Sequence, residues 1–245
     1  MIRIESCGRT DVGLRRANNE DSFVSAPEMR LLALADGMGG AASGEVASGI
    51  FVETVRELVS PGAPAGEEEA EDLVRRTFLH ANRRIRETAA RDTRHRDMGC
   101  TGEMVVFTDE GYVLGHVGDS RIYLFREGRL RQVTKDHSFV QEQVDQGLLT
   151  PDQARVHAYR HMILRAVGIH DSLAVDIITG RSYPGDLFLL CSDGLTDMVG
   201  DDRIEGTVAS GLPLEEMADR LVRSACDAGG HDNVTVVLGR VLAAG

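Results

Sequence analysis

LLALADGMGG, residues 31–40, decides the fold. Five apolar residues, Leu31 to Ala35, run without interruption into one carboxylate, Asp36, and a glycine turn follows at once. A buried strand that ends on Asp-Gly delivers a charged group to a fixed edge of a sheet, and the turn lets backbone carbonyls approach whatever that charge holds. The same grammar recurs. YVLGHVGDS (112–120) ends on Asp119, LFLLCSDG (187–194) reaches Asp193, and in HDNVTVVL (231–238) the order reverses, with Asp232 opening the strand. Four apolar runs each place one Asp at a strand end. Carboxylates without His or Cys partners suit hard divalent cations such as Mg²⁺ or Mn²⁺, and Glu20 and Asp21 extend the acidic set.

Outward from that stretch, the chain reads as strand at 1–10, a polar loop over 10–23 that ends in strand, and a helix from Ser43, a candidate cap, to about Val59. SPGAPAG (60–66) is a breaker cluster on the surface. A second helix follows at about 68–91, acidic in its first turn and Arg-rich later, an order that suits the helix dipole. From 103 the hydrophobic period drops to two. Hairpins are expected around Asp109–Gly111 and Arg126–Gly128. Residues 138–162 form a polar helical excursion, with Pro151 in the first turn of its second helix. Strands follow at 173–180 and 186–192, helices at 201–209 and 214–227, and a closing strand at VTVVLGRV. Antiparallel strands in succession, flanked by long helices, predict an α+β fold.

The 245 residues carry 27 Lys+Arg against 39 Asp+Glu, a net charge of −12. Such an acidic chain is a poor partner for a phosphate backbone, which argues against a two-metal nuclease. Cys7, Cys100, Cys191 and Cys226 show neither zinc spacing nor a secreted disulfide framework, so reduced thiols in a cytosol are expected. No apolar run is long enough to span a bilayer, and MIRIESCGRTD lacks a signal-peptide core.

Two cations about 3.5–4 Å apart can acidify a bridging water and hold phosphoryl oxygens. No side-chain nucleophile is then required. In agreement, the chain has no Cys-x5-Arg, no GxxxxGK[ST] and no GxSxG. A phosphate also needs a cation to bind it. Arg15 and Arg16 precede Glu20 in the same loop, and chemistry alone does not choose between them.

RRANNED (15–21), DGMGG (36–40), VGDSRIY (117–123), LRAVG (164–168), CSDGLTD (191–197) and GGHDNVTVV (229–237) occur in that order. Together they resemble the metal-dependent protein phosphatases, the type 2C serine/threonine phosphatases, in their bacterial form, over about residues 5–240. The resemblance implies one domain, 1–245, with a four-layer α/β/β/α sandwich of two antiparallel sheets and a flap at about 138–162. It implies hydrolysis of phosphoserine and phosphothreonine by a water activated at a binuclear Mn²⁺ or Mg²⁺ centre. Asp36 would bridge the two ions and the Gly37 carbonyl would ligate one. Asp193 and Asp232 would complete one site, with Glu20 and Asp21 acting largely through waters. Asp119 with Asp193 would hold a third ion. Arg16, four before Glu20, matches the phosphate-binding arginine, and Arg16 and Asp36 are the expected catalytic pair. Expected partners are phosphorylated proteins, among them a Ser/Thr kinase and its substrates, met by a cytoplasmic monomer without nucleic acid or membrane. The alternative is a pseudophosphatase that binds phosphoproteins without turnover.

Three positions depart from the family pattern. Met38 stands where many eukaryotic members have a proposed general-acid His, which leaves a metal-bound water or another group to protonate the leaving oxygen, with His161 and His231 as candidate donors. Cys100 replaces a common Thr. Glu103 lies where an apolar strand residue is expected.

Overall fold

The architecture is seen in a computed structural model, which describes residues 2–39, 43–59, 64 and 66–243. Gly40 and most of the 60–66 breaker cluster (60–63 and 65) lie outside the described residues. The chain runs through β1 (Arg3–Asp11), β2 (Asp21–Ala26), β3 (Leu31–Met38), α1 (Gly44–Leu58) and α2 (Glu67–Arg91). There follow the two-residue β4 (Gly99–Cys100), β5 (Gly102–Phe107), β6 (Gly111–Val117), β7 (Arg121–Arg126) and β8 (Arg129–Gln132). The excursion is α3 (Phe139–Asp145) and α4 (Pro151–Arg155). The remainder is β9 (Asp176–Arg181), β10 (Leu187–Cys191), the one-turn α5 (Asp193–Thr196), α6 (Asp201–Val208), α7 (Leu214–Asp227) and β11 (Val234–Leu242).

The strands form two antiparallel sheets, ordered β1-β11-β10-β7-β8 and β2-β3-β5-β6-β9, with β4 added beside β3. Leu32, Leu34, Val105, Phe107 and Leu114 of one sheet meet Ile122, Leu124, Phe188, Leu190 and Val237 of the other in a sealed inter-sheet core. The opposite faces are covered too. Leu31, Ala33, Ala35 and Met104 pack with Phe51, Val55, Val74 and Phe78 of α1 and α2. Leu187, Leu189, Val236 and Leu238 pack with Ile204, Met217, Leu221 and Ala225 of α6 and α7. These are the four expected layers. They explain why Leu31–Ala35 is apolar without alternation: each side of β3 faces a dry layer, so neither parity of residue can be polar.

Antiparallel order also fixes the site. With β3 and β6 separated only by β5, both end on one edge, where β2 begins. In the other sheet, β10 ends where β11 begins. Asp21, Asp36, Asp119, Asp193 and Asp232 therefore all occupy strand ends.

Three local expectations need correction. Residues 173–175 are not strand; Leu173 and Val175 instead pack on the α1/α2 core, and pairing with β6 starts at Asp176. Ser43 sits at the N-cap of α1 but makes no capping bond; its hydroxyl donates to the Arg94 carbonyl at 2.9 Å, pinning the turn that follows α2 to the start of α1. Glu103 belongs to the strand despite its charge, and its partners are described below. The excursion's helices form as predicted, with Ser138 accepting from the Gln141 N–H and a capping box at Thr150. Among the described residues no helix is long and apolar enough to cross a membrane.

Candidate metal centre

Asp21 and Asp36 are direct cross-strand partners in the β2–β3 ladder. Like charges in that relation repel, and burial raises the cost further. The Asp36 carboxyl is held well above the usual range, first by burial and then by the charges of Asp21, Asp193, Asp119 and Asp232. Asp193 shifts the same way, first by burial and then by Asp119, Asp197, Asp232 and Asp21. Five carboxylates from distant parts of the chain thus share one electrostatic site. Asp119, at the end of β6, is buried and also raised, by burial first and then by Asp136 and Glu103.

Asp21 is the most tightly built of the set. Its Oδ2 accepts from Ser192 Oγ at 2.8 Å and from Thr235 Oγ1 at 2.6 Å, so groups flanking β10 and on β11 hold a residue of the other sheet. Its Oδ1 is buried with no hydrogen-bond partner. An orphaned carboxylate oxygen inside an acidic cluster carries a large desolvation cost, and a bound cation removes it. The hard oxygen donors and this orphan oxygen both fit a divalent cation.

Around this centre the backbone is drawn in closely. Gly37 donates its N–H to the Glu20 carbonyl at 3.0 Å, and Glu20 donates its own to Asn233 Oδ1 at 2.8 Å. Asn233 Nδ2 then donates to the carbonyls of Val12 and Asn18, at 3.0 and 2.9 Å, which fixes the loop carrying Arg16 and Glu20. The Glu20 carboxyl group is packed against the start of α1, where a Cβ on Gly44 would stand 2.8 Å from its Cδ. Arg16 Nη2 donates to Asp232 Oδ2 at 2.6 Å, and among the described residues no other hydrogen bond engages its guanidinium. Arg15 is exposed and forms no described ion pair. Of the two arginines that the loop offered, the fold brings Arg16 to the acids.

His161 also reaches this edge, with Nδ1 3.4 Å from Asp197 Oδ2 and 3.9 Å from Asp193 Oδ2. His231 is exposed and makes no described polar contact with the cluster. Sequence reasoning passed over Asp197, Thr101, Ser192 and Thr235. For Asp197 a signal existed, its spacing of four from Asp193 in SDGLTD. For Thr235 it was a hydroxyl inside an otherwise apolar run.

Glu103 is fully buried, and its burial is satisfied. Oε2 accepts from Thr101 Oγ1 at 3.2 Å and Oε1 lies 3.1 Å from His116 Nδ1, while His116 Nε2 meets the Lys135 carbonyl at 2.9 Å. Burial pushes the Glu103 carboxyl up to about 7 against the pull of His116. Thr101 Oγ1 in turn accepts the Asp36 N–H at 2.9 Å, so the pair braces the strand end that carries Asp36. Glu103→Leu, the apolar residue the pattern calls for, is expected to destabilise the protein by about 3 kcal/mol by leaving His116 Nδ1 unpartnered in a dry core. A urea midpoint equal to that of the parent would contradict this.

A two-sheet sandwich clad in helices, with five carboxylates gathered where its strands end, defines a protein suited to holding divalent cations at one edge. A family model described as protein phosphatase 2C matches residues 15–237, and the chain belongs to that family. It is 41% identical over 240 residues to the serine/threonine protein phosphatase PstP of Mycobacterium tuberculosis, an alignment covering 96% of this chain and 44% of that protein. It is 37% identical over 244 residues to the protein phosphatase PhpP of Streptococcus pneumoniae, covering 94% of each. The chain thus spans less than half of the mycobacterial relative and nearly all of the pneumococcal one. Among solved structures, that of M. tuberculosis PstP superposes with a TM-score of 0.93 at 38% identity, over 99% of this chain and 100% of that one. The PstP catalytic domain in complex with two manganese ions gives a TM-score of 0.90 at 38% identity, over 99% and 100%.

Proposed function

We propose that this chain is a metal-dependent phosphatase that removes phosphate from phosphoserine and phosphothreonine in proteins. The observation that carries the reading is the convergence of Asp36 with Asp21, Asp119, Asp193 and Asp232, including the orphaned Asp21 Oδ1. Glu20, Asp21, Asp36, Asp193, Asp232 and the Gly37 carbonyl would hold two Mn²⁺ or Mg²⁺ ions, and Asp119 with Asp193 would offer a place for a third. The manganese-bound relative supports that assignment. When bound, such ions supply an acidified water and neutralise phosphoryl charge.

The chain's own residues do the rest. Ser192 and Thr235 fix the Asp21 carboxylate by two hydrogen bonds, and Thr101 fixes the Asp36 backbone on both its N–H and its carbonyl. Arg16, at the rim and half-exposed, presents a planar fork of donors to the phosphoryl oxygens. The 138–162 excursion acts as a flap beside the cleft and bears on substrate choice. Its position at the cleft edge is supported by His161 beside Asp197. The non-catalytic alternative has no support, since every acid of the set is retained. The names of the bacterial relatives support a setting in which the enzyme reverses a Ser/Thr kinase. The four free cysteines support a reducing cytoplasm.

Arg16→Ala tests the phosphate site. Its KM for p-nitrophenyl phosphate or a phosphopeptide in Mn²⁺ is expected to rise steeply, with about 2–4 kcal/mol lost from kcat/KM. Unchanged saturation kinetics would remove Arg16 from that role.

A further inference from the structure

We propose that a basic groove on α2 docks an acidic segment of the phosphoprotein substrate, away from the metal centre. The inference rests on the reading of this chain as a phosphoprotein phosphatase, and it adds a feature by which substrates are selected. RRTFLHANRRIR, residues 75–86, holds five arginines, one histidine and no acid, inside a chain whose net charge is −12. On the helix, Phe78, Ala81 and Ile85 turn into the core. Arg76, Leu79, His80, Arg83 and Arg86 recur at helical spacing on the outer side. With Leu58, at the end of α1, they line a groove of about 540 Å³.

The groove is built before any partner arrives. Asn82, buried beside it, donates from Nδ2 to the His170 carbonyl at 2.9 Å and accepts the Gly168 N–H on Oδ1 at 2.7 Å, which fixes the 168–171 wall to α2. Its charges are weakly matched within the fold. Arg84, which does not line the groove, is matched by Glu53 and Glu57 of α1. In the groove, Arg76 meets Asp72 at 2.7 Å with the two side chains 62% and 63% exposed, and Arg86 pairs with an open Asp171. Arg83 is exposed and forms no ion pair among the described residues. Open pairs of this kind are worth little and exchange readily. Arg83 and Arg86, three apart on one helix, repel each other. An incoming carboxylate relieves that repulsion and can engage a guanidinium through two parallel hydrogen bonds.

The apolar part decides what kind of anion fits. Leu79 is 45% exposed and Leu58 half-buried, so the guanidiniums flank an aliphatic patch. A peptide with one aliphatic side chain between acidic ones matches both. A nucleic acid offers no such side chain, and the acidic remainder of the chain repels a long polyanion. The length of α1 sets the reach. It runs from Gly44, packed on Gly37 at the metal centre, to Leu58 in the groove, a span of about 21 Å. An extended chain covers that in about seven residues. An acidic segment about ten residues from the phosphorylated one can therefore sit in the groove while the phosphate meets Arg16, which raises the local concentration of substrate without touching the reacting atoms.

Two phosphothreonine peptides test this. They differ only beyond a Gly/Ser spacer of about ten residues, which leads to Glu-Asp-Leu-Glu-Asp in one and to Gly-Ser-Leu-Ser-Gly in the other. In Mn²⁺ the acidic peptide is expected to show a KM at least about tenfold lower at similar kcat. Arg76→Glu combined with Arg83→Glu reverses two exposed charges. It should erase that advantage, weaken binding of the fluorescein-labelled acidic segment in an anisotropy titration, and leave turnover of p-nitrophenyl phosphate unchanged. Equal KM values for the two peptides, or an advantage that survives the charge reversal, would overturn the docking groove and leave the phosphatase reading standing. Tighter binding of phosphatidylserine vesicles or of a single-stranded DNA dodecamer than of the acidic segment would defeat the assignment of a peptide. Absence of turnover with both peptides and with p-nitrophenyl phosphate would remove the phosphatase reading itself, and the substrate assignment with it.

Discussion

Asp36→Asn is expected to lower Mn²⁺-dependent turnover by at least about 10³-fold, equivalent to about 4 kcal/mol of transition-state stabilisation. The change is isosteric. The Asp36 N–H stays on Thr101 Oγ1, and its carbonyl still accepts the Thr101 N–H at 2.8 Å, so the side chain keeps its place at the end of β3. What changes is charge. A carboxylate that faces Asp21 across the ladder and feels three further acids becomes a neutral amide whose NH₂ group repels a cation. The folded protein should tolerate the change well, because repulsion among buried acids is relieved. The two readouts therefore separate. Without added metal the variant melts no lower than the parent. Added Mn²⁺, which raises the parent's Tm by binding the folded state, raises the variant's far less. An Asn variant that kept Mn²⁺-dependent turnover would sink the assignment of Asp36 as the central ligand.

Gly37→Ala should act through the backbone instead. A methyl group on Gly37 would lie 2.1 Å from the Gly44 carbonyl oxygen and 2.6 Å from the Glu20 carbonyl oxygen. Neither is the movable end of a side chain. The end of β3, the loop before β2 and the first turn of α1 meet at a point where only hydrogen fits. An added carbon must push at least two of them apart. Overpacking of this kind is expected to cost about 3 kcal/mol, read as a lower urea midpoint at unchanged slope. Mn²⁺ affinity should fall with it, because Glu20, Asp36 and the Gly37 carbonyl shift together. Gly194, in α5 just past the end of β10, plays the same part, since a Cβ there would stand 1.9 Å from the Asn233 carbonyl oxygen. A Gly37→Ala protein with the parent's midpoint and metal affinity would show that the approach at this edge is not as tight as described.

Both expectations turn on residues that the linear pattern marks out. Asp36 and Gly37 follow the only five-residue apolar run that leads straight into a carboxylate and a glycine turn, and Asp119, Asp193 and Asp232 are likewise marked by an apolar run beside them. The partners that hold these acids are a different matter. Ser192 and Thr235 meet Asp21 from 171 and 214 residues away, and no local periodicity encodes such a pairing. Glu103 read as a misfit in its strand because His116, thirteen residues on, gives no sign in sequence that it faces the same buried position. Ser43 stood in the right place for a cap, yet the turn after α2 presented its hydroxyl with the Arg94 carbonyl instead.

The sequence by itself determined the α+β class and the kind of chemistry, and the four layers entered as what its resemblance to a known family implies. Unbroken apolar runs require both faces of a sheet to be covered, and acids at strand ends without nitrogen or sulfur partners require hard cations. Only the tertiary structure decided which groups satisfy those acids, which arginine stands beside them, and that His161 comes back to Asp197. Burial and charge are written into each residue, but hydrogen-bond and ligand geometry exist only between residues that the packing of the two sheets brings together.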